Sequence, residues 1–513
     1  MSRAKPDSSD RSITAGSDFL HLDIADAPPG RRADWLADQL RRAVADGRLP
    51  VGGRLPATRV LAADLGVSRG VVVEAYQRMV EDGHVAGRGR AGTVVVAAPA
   101  AAPAPPGPAA APPPAALFPP APGTGIFDAV RTAPARIDLT PGVPDLAAFP
   151  RADWLRAERT VLRHLAAPDF GYGDPRGAPA LRRAVAAWLA RSRGIAVDPA
   201  EVIVTTGVSQ ALGLLAQALR PHGVDTVAVE DPGSLGVRQH LNNWRVTTPP
   251  VAVDAAGLRV DELAASGAPA VMVTPAHQFP TGVVLDGDRR RQLAAWARAG
   301  GLVIEDDYDA EHRYDRPPVP ALRAMLPDHV CYAGSVSKLL APALRIGWLL
   351  VPPRHRDAVV DAKRNADLGN AVLPQLVLAE LMASGALERQ LRLLRRRHVR
   401  RRDAMVAAIV RNVPGATVQG AAAGLHLTVT LDGTVADTEV AAAALERGVK
   451  VQPLSWHCQR PHPPGLVLGY AANTVSDIEE GVGVLAAVLA GRRGAASARL
   501  VGKASSPSRC GGG

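Results

Sequence analysis

Residues 97 to about 125 read "AAPAAAPAPPGPAAAPPPAALFPPAPGTG", a run of proline and alanine that neither a helix interior nor a central strand accommodates. Proline fixes a backbone torsion and removes an N–H donor, so the stretch lacks helical or strand periodicity and reads as an extended, semi-rigid spacer. The chain is therefore expected to fold as two separate bodies. A small unit spans residues 17–96, the spacer with its flank spans 97–134, and a much larger unit spans 135–490. Residues 491–513, "GRRGAASARLVGKASSPSRCGGG", have too few apolar side chains to pack and read as a disordered tail.

The length of 513 residues exceeds one ordinary core, and 47% hydrophobic with 21% charged residues is usual for globular protein. The three cysteines, Cys331, Cys458 and Cys510, have no ligand spacing, so neither a disulfide framework nor a metal site is implied. The amino terminus has no apolar core of signal-peptide length and no later run reaches ~18 uninterrupted apolar residues. A soluble cytoplasmic protein is expected. The net charge of +10 permits a polyanionic partner, and its placement decides.

In the large unit, strand-like runs ("EVIVTTG", "TVAVED", "PAVMVTP", "GLVIEDD") alternate with amphipathic stretches such as "DRRRQLAAWARAG". That alternation predicts an α/β fold with a mostly parallel sheet, helices on both faces, and ligands outside the carboxyl ends of the strands.

At one such end stands "CYAGSVSKLLAPALRIGWL", with Lys338 in an apolar run. A buried ammonium must be paired or chemically committed; on this stretch alone, a lysine snorkelling to water at a strand-to-helix junction is the plain alternative. Other stretches converge on it. "VIVTTGVSQALGLL" ends a strand at Gly207 and opens a helix with Val208, Ser209 and Gln210, whose N–H groups suit either a phosphate or an ordinary cap. "GLVIEDDYD" ends a strand with Asp306, Asp307 and Tyr308: a carboxylate for a protonated ring nitrogen, and a phenol two residues on for a phenolate oxygen. Arg345 follows Lys338 by seven residues and, with Ser335 and Ser337, can clamp one phosphate. An amine, an acid, a phenol and a basic phosphate cradle are what pyridoxal phosphate needs.

The small unit shows a helix, a turn at Gly66 and a second helix capped by Ser68, then two short strands around a glycine- and arginine-rich turn. Residues 31–96 hold 11 Arg against 7 acidic residues. Arg69 opens the second helix, where it can reach base edges or phosphates, and Arg88 and Arg90 lie on the wing. A merely solvated basic face would account for the charge alone.

The ordered stretch "GRLPVGGRLPATRVLAADLGVSRGVVVEAYQRMVEDGHV" resembles the winged helix-turn-helix domain of GntR-type regulators. The series "FGYGDPRGAPALRRAV", "TTGVSQAL", "VEDPG", "TPAHQFPTG", "IEDDYD" and "SVSKLLAPALRIGW" resembles the class I aminotransferase domain (fold type I) over about residues 135–490. Both together are identified with the MocR/GabR family. The resemblance implies a transcription regulator that binds double-stranded promoter DNA and senses pyridoxal 5'-phosphate, or an amine or amino-acid ligand, as a head-to-tail homodimer. It assigns Arg59, Ser68, Arg69, Gly70, Arg88, Arg90 and Gly92 to DNA; Lys338 to the Schiff base; Asp306 to the ring nitrogen; Tyr308 to the ring oxygen; and Tyr172 to a partner protomer's phosphate. Gly70 replaces a small polar residue common after "SR". Ser234 stands where relatives stack an aromatic ring, His277 and Gln278 replace the asparagine that faces the ring oxygen, and Val467 replaces the arginine that grips a substrate carboxylate. The rival is an aminotransferase with a DNA-binding appendage. The eight arginines between 389 and 402 read as the solvated face of a long helix, or alternatively as a second DNA-contacting surface.

Overall fold

The computed structural model describes residues 22–89, 92–97, 113–309, 311–314, 319–432 and 435–504, with side chains described to residue 492. The chain divides into two units, Met1–Ala110 and Ala111–Gly513.

In the first unit, apolar residues three and four apart along Arg32–Ala45, Thr58–Asp64 and Arg69–Glu81 bury Leu36, Leu40, Leu61, Val72, Ala75 and Met79 in one three-helix core. The Tyr76 hydroxyl donates to the Pro56 carbonyl at 2.8 Å, which ties the last helix to the loop before the middle one. Strands Val85–Gly87 and Thr93–Val95 pair antiparallel as the wing. Ser68 stands at the amino end of the last helix in extended conformation, but its hydroxyl makes no capping hydrogen bond. The expected cap is thus positional only, and the hydroxyl is exposed.

The second unit carries an eight-stranded sheet in the order Ile203–Thr205, Gly347–Leu350, Val330–Ser335, Leu302–Asp307, Ala270–Val273, Val227–Asp231, Pro250–Asp254, Gly257–Leu258. The pairings from Val330–Ser335 through Pro250–Asp254 are parallel, and Gly347–Leu350 runs against both its neighbours. Strands such as Ala270–Val273 are buried throughout, as a sheet covered on both faces requires. A four-stranded antiparallel sheet, Thr417–Gln419, His426–Thr430, Gly465–Gly469 and Gln452–Pro453, forms the core of a smaller lobe with helices Asp437–Glu446 and Val475–Ala504.

Two boundaries differ from the sequence expectation. The spacer ends earlier: Pro114–Leu117 forms a 3-10 turn and Ile126–Thr132 a helix, and Leu117, Phe118, Ile126 and Val130 are buried in the smaller lobe's core. Phe118 stacks on Trp456 at 5.6 Å, so the few apolar residues of a proline-rich stretch were enough to anchor it. At the other end the backbone is helical to Ala504, because the alanines and arginines after residue 491 are helix formers whatever they pack against.

Candidate cofactor site and nucleic-acid interface

The strand Leu302–Asp307 ends in residues that alternate across the sheet, as strand geometry dictates. Asp307 points to one face, where it takes hydrogen bonds from Arg193 Nε and the Tyr332 hydroxyl, both at 2.5 Å. Asp306 and Tyr308 share the opposite side. Asp306 Oδ1 is buried with no hydrogen-bond partner, and burial, then the charges of Asp307 and Asp309, push its carboxyl up to about 7. A desolvated, unpartnered carboxylate oxygen is what a protonated ring nitrogen would satisfy.

Lys338 lies in the loop after the neighbouring strand. Its ammonium donates to the Gly142 carbonyl, and its pKa is lowered by burial, against the opposing pull of Asp309 and Asp306. Of the five lysines in the sequence, Lys363 is tied to Asp367 and Asn370, Lys450 to Asp138, and Lys5 and Lys503 lie outside the described side chains. Lys338 alone among the three described meets no carboxylate as a hydrogen-bond partner.

Pairing of Ser335 with Gly347, and of Gly347 with Thr205, sets three strand ends side by side. A Cβ at Gly347 would stand 2.8 Å from the Gly334 carbonyl oxygen and 2.9 Å from Gly207 Cα, so only glycine permits this approach. Gly207 (φ 105°) precedes the helix Val208–Leu219, whose first backbone hydrogen bond runs from Ala211 N–H to the Gly207 carbonyl; the N–H groups of Val208, Ser209 and Gln210 come before it. The Arg345 guanidinium lies over this end, 3.7 Å from where a Gly207 Cβ would be. Arg345 itself is left-handed (φ 51°), a conformation that costs a non-glycine residue about 1 kcal/mol or more. A strained arginine over a helix amino end makes an anion cradle. Ser335 is buried and Ser337 half-buried beside it, with Ser337 N–H on Ser335 Oγ at 3.4 Å. The Gln210 amide is not aimed at the cradle: it accepts from Thr206 N–H at 2.9 Å and donates to Asp367 at 2.7 Å. These groups fit pyridoxal phosphate at both ends, ring and phosphate.

In the first unit, Arg59, Ser68, Arg69, Gly70, Arg88 and Gly92 are all exposed, and Arg90 lies outside the described residues. Arg41 pairs with Asp38 and Asp82, Arg78 with Asp34 and Glu74, and Arg48 with Asp46, whereas Arg59, Arg69 and Arg88 enter no ion pair among the described residues. Arg32, Arg42 and Arg54 likewise enter none, so the unpaired charge includes the last helix, the helix before it and the wing without being confined to them.

Residues 32–95 match the family described as bacterial regulatory proteins, gntR family, and residues 136–485 match aminotransferase class I and II. The probable rhizopine catabolism regulatory protein MocR of Rhizobium meliloti is 32% identical over 90% of this chain and 94% of its own. The chain belongs to the MocR/GabR family of GntR-type transcription regulators. The pyridoxine biosynthesis regulator PdxR of Corynebacterium glutamicum is 33% identical over 82% of this chain and 87% of its own. Among solved structures, a Pyrococcus horikoshii kynurenine aminotransferase, determined with PMP, is 27% identical with TM-score 0.65, covering 72% of this chain and 93% of that one. Membership makes the chain a DNA-binding transcription regulator, with pyridoxal phosphate the cofactor of its aminotransferase-type domain.

Several features of this MocR-type domain were not legible beforehand. Ser234 accepts from Val237 N–H at 3.3 Å and caps its helix, which accounts for a serine at that place. Gln278 spends its amide on the Pro232 and Phe279 carbonyls and on Thr281, so its role is to hold the loop and His277 alone of the pair approaches Tyr308. Val467 is fully buried between Thr428 and Gln452, with no cation in its place. The arginine-rich stretch is the helix Ala386–Asn412; Arg392, Arg396 and Arg400 are exposed, but Arg397 and Arg401 converge on the buried Asp145 at 3.0 and 2.8 Å and Arg402 lies over the Tyr314 ring. Solvation thus explains only part of the run. Gly142 and Asp309 were missed; nothing in "TPGVPDL" or "DYDAEH" distinguishes them without the fold. His277, Asp309 and His426 have ligand atoms within 4.8 Å of one another, but the His277–Asp309 contact is a hydrogen bond of 2.9 Å that shares a proton, and we do not read the three as metal ligands. Among the described residues no helix is long and apolar enough to cross a membrane.

Proposed function

We propose that this regulator is a cytoplasmic protein that holds pyridoxal phosphate on Lys338 and changes its affinity for promoter DNA when the cofactor, or an amine or amino acid, occupies that domain. The observation that carries the reading is the buried, unpartnered Asp306 Oδ1 beside a desolvated Lys338 with no carboxylate hydrogen-bond partner. Bound pyridoxal phosphate supplies an aldehyde that captures amines and a ring that withdraws electrons. In this reading Asp306 binds the ring nitrogen, Tyr308 donates to the ring oxygen, and Arg345 with Ser335, Ser337 and the N–H groups after Gly207 binds the phosphate. Tyr172 is 95% exposed, as suits a side chain that completes a second protomer's phosphate site in a head-to-tail dimer.

Arg345→Ala should weaken cofactor retention by about 1.5 to 3 kcal/mol, the contribution of a charge-assisted contact. Equilibrium dialysis checks this; unchanged affinity would place the phosphate elsewhere.

An enzyme with a DNA-binding appendage is the second reading, supported by the complete lysine, acid and phenol set. Val467 weighs against it, since a carboxylate without a bidentate partner is held weakly. Transamination of common α-amino acids is expected well below the roughly ten turnovers per second usual for enzymes. Rates at that level would favour the second reading.

The DNA reading is tested on the chain's own promoter over a salt series. Arg59, on the helix before the recognition helix, should behave as a phosphate contact: Arg59→Ala weakens all sequences alike and flattens the salt slope by about one unit. Arg69→Ala should either do the same or cost about 1 to 3 kcal/mol with relaxed sequence preference. Wild-type binding by both variants would remove the recognition helix from the interface.

A further inference from the structure

The helix Ala386–Asn412 carries charge that neither the cofactor site nor the DNA-binding unit explains. Between residues 389 and 402 it holds eight arginines and no aspartate or glutamate. Four of the eight are spent locally. Arg397 and Arg401 meet Asp145, Arg402 meets Asp403, and Arg395 donates to the Tyr314 carbonyl. The other four, Arg389, Arg392, Arg396 and Arg400, are exposed. Among the described residues they enter no ion pair, and of the four only Arg389 has a hydrogen-bond partner, the neutral Ser384 carbonyl. They recur at i, i+3, i+7 and i+11, which places all four on one face of the helix along about 16 Å.

Solvation does not require such a face. Like charges three and four residues apart weaken a helix, whereas opposite signs at that spacing strengthen it and hydrate it equally well. Elsewhere this chain takes the second course: Arg131 with Asp128, Arg156 with Asp153, Arg291 with Asp288 and Arg364 with Asp361 are all ion pairs at i, i+3. On Ala386–Asn412 the acids that bracket the stripe, Glu388 and Asp403, are taken by Arg191 and Arg402. Glu479, which borders a cavity together with Arg400, lies 3.9 Å from Arg411. The stripe thus bears a repulsion that no ion pair among the described residues offsets.

We propose that Arg389, Arg392, Arg396 and Arg400 form a second DNA-contacting surface, which binds the phosphate backbone without reading sequence. The inference rests on the chain's being a DNA-binding regulator. Charge complementarity and length choose the partner. Each strand of duplex DNA carries one charge per about 3.4 Å of axis, so a track of about 16 Å runs beside about five phosphates. Guanidinium groups bind phosphate oxygens through paired hydrogen bonds. Once the first unit is on its operator, the same duplex is held at high effective concentration, and weak contacts here add to the affinity.

The full chain tests this by titration of its own promoter region, and of an unrelated duplex of equal length, over a salt series. The stripe variant is Arg392→Gln with Arg396→Gln and Arg400→Gln. Its control for bulk charge is Arg245→Gln with Arg298→Gln and Arg447→Gln, exposed arginines on other elements of the same unit that enter no ion pair among the described residues. Each phosphate contact contributes about 0.9 to the slope of log affinity against log salt. The stripe variant should therefore flatten that slope by about two to three units on both duplexes. A flattening that exceeds the control's by less than about one unit overturns the proposal; a purely solvated face, or an acidic protein as the partner, would give that result. If the triple variant does not fold, Arg396→Gln against Arg298→Gln repeats the test, with a difference of about one unit expected and equal slopes overturning it. Arg59→Ala, run beside them, separates the two readings. Slope lost there but kept in the stripe variant removes the second surface alone, and a wild type without affinity for either duplex sinks the DNA reading itself.

Discussion

Lys338→Ala is expected to abolish the visible band of the protein purified with pyridoxal phosphate and to leave nothing for borohydride to fix covalently. The expectation is strong because the chain offers few amines: Lys363 and Lys450 are held by carboxylates, and a protonated, ion-paired lysine is a poor nucleophile. Lys338 differs in kind. Burial favours its neutral form, and among the described residues the one hydrogen-bond partner of its ammonium is the Gly142 carbonyl. Absorption spectra and mass analysis after reduction check this. A persistent adduct in the variant would move the covalent link to another lysine.

Asp306→Asn is expected to weaken cofactor binding by about 3 to 5 kcal/mol, the cost of removing one partner of a buried ion pair. The same substitution should act in the opposite direction on the cofactor-free protein. The Asp306 carboxyl is raised from 3.8 to about 7 by burial, so the folded state binds a proton the unfolded state has lost. Its stability contribution is complete below pH ~4 and is lost as pH rises through about 7, a change of at most about 4 kcal/mol. Asparagine does not ionise. Cofactor-free Asp306→Asn should therefore melt above cofactor-free wild type at pH 8, with the gap closing toward pH 4. Thermal melts across that range check the sign; a gap independent of pH would mean that Asp306 is already ionised at pH 4.

The two-unit plan and the parallel sheet were legible because each is local, in proline content and strand alternation, and the proposed cofactor residues Asp306 and Tyr308 stand out because they lie two apart at a strand end. What escaped the sequence depends on contacts distant along the chain. Phe118 looked like part of a spacer because its partner, Trp456, lies over 300 residues on. Gly142 gained meaning only through Lys338, and Asp309 through His277, each brought by a different segment. Arg397 and Arg401 looked like solvated charge until Asp145 appeared between them. Charge counting likewise located a basic unit, but only the ion pairs showed which arginines remain uncompensated.

The central claim is that one chain couples cofactor occupancy to DNA binding. Its most direct test is the affinity of the full chain for its own promoter region, at fixed salt, with and without pyridoxal phosphate, for wild type and Lys338→Ala. A cofactor-dependent change in affinity for wild type that the variant loses is the predicted result. Identical binding curves for wild type with and without cofactor would contradict it.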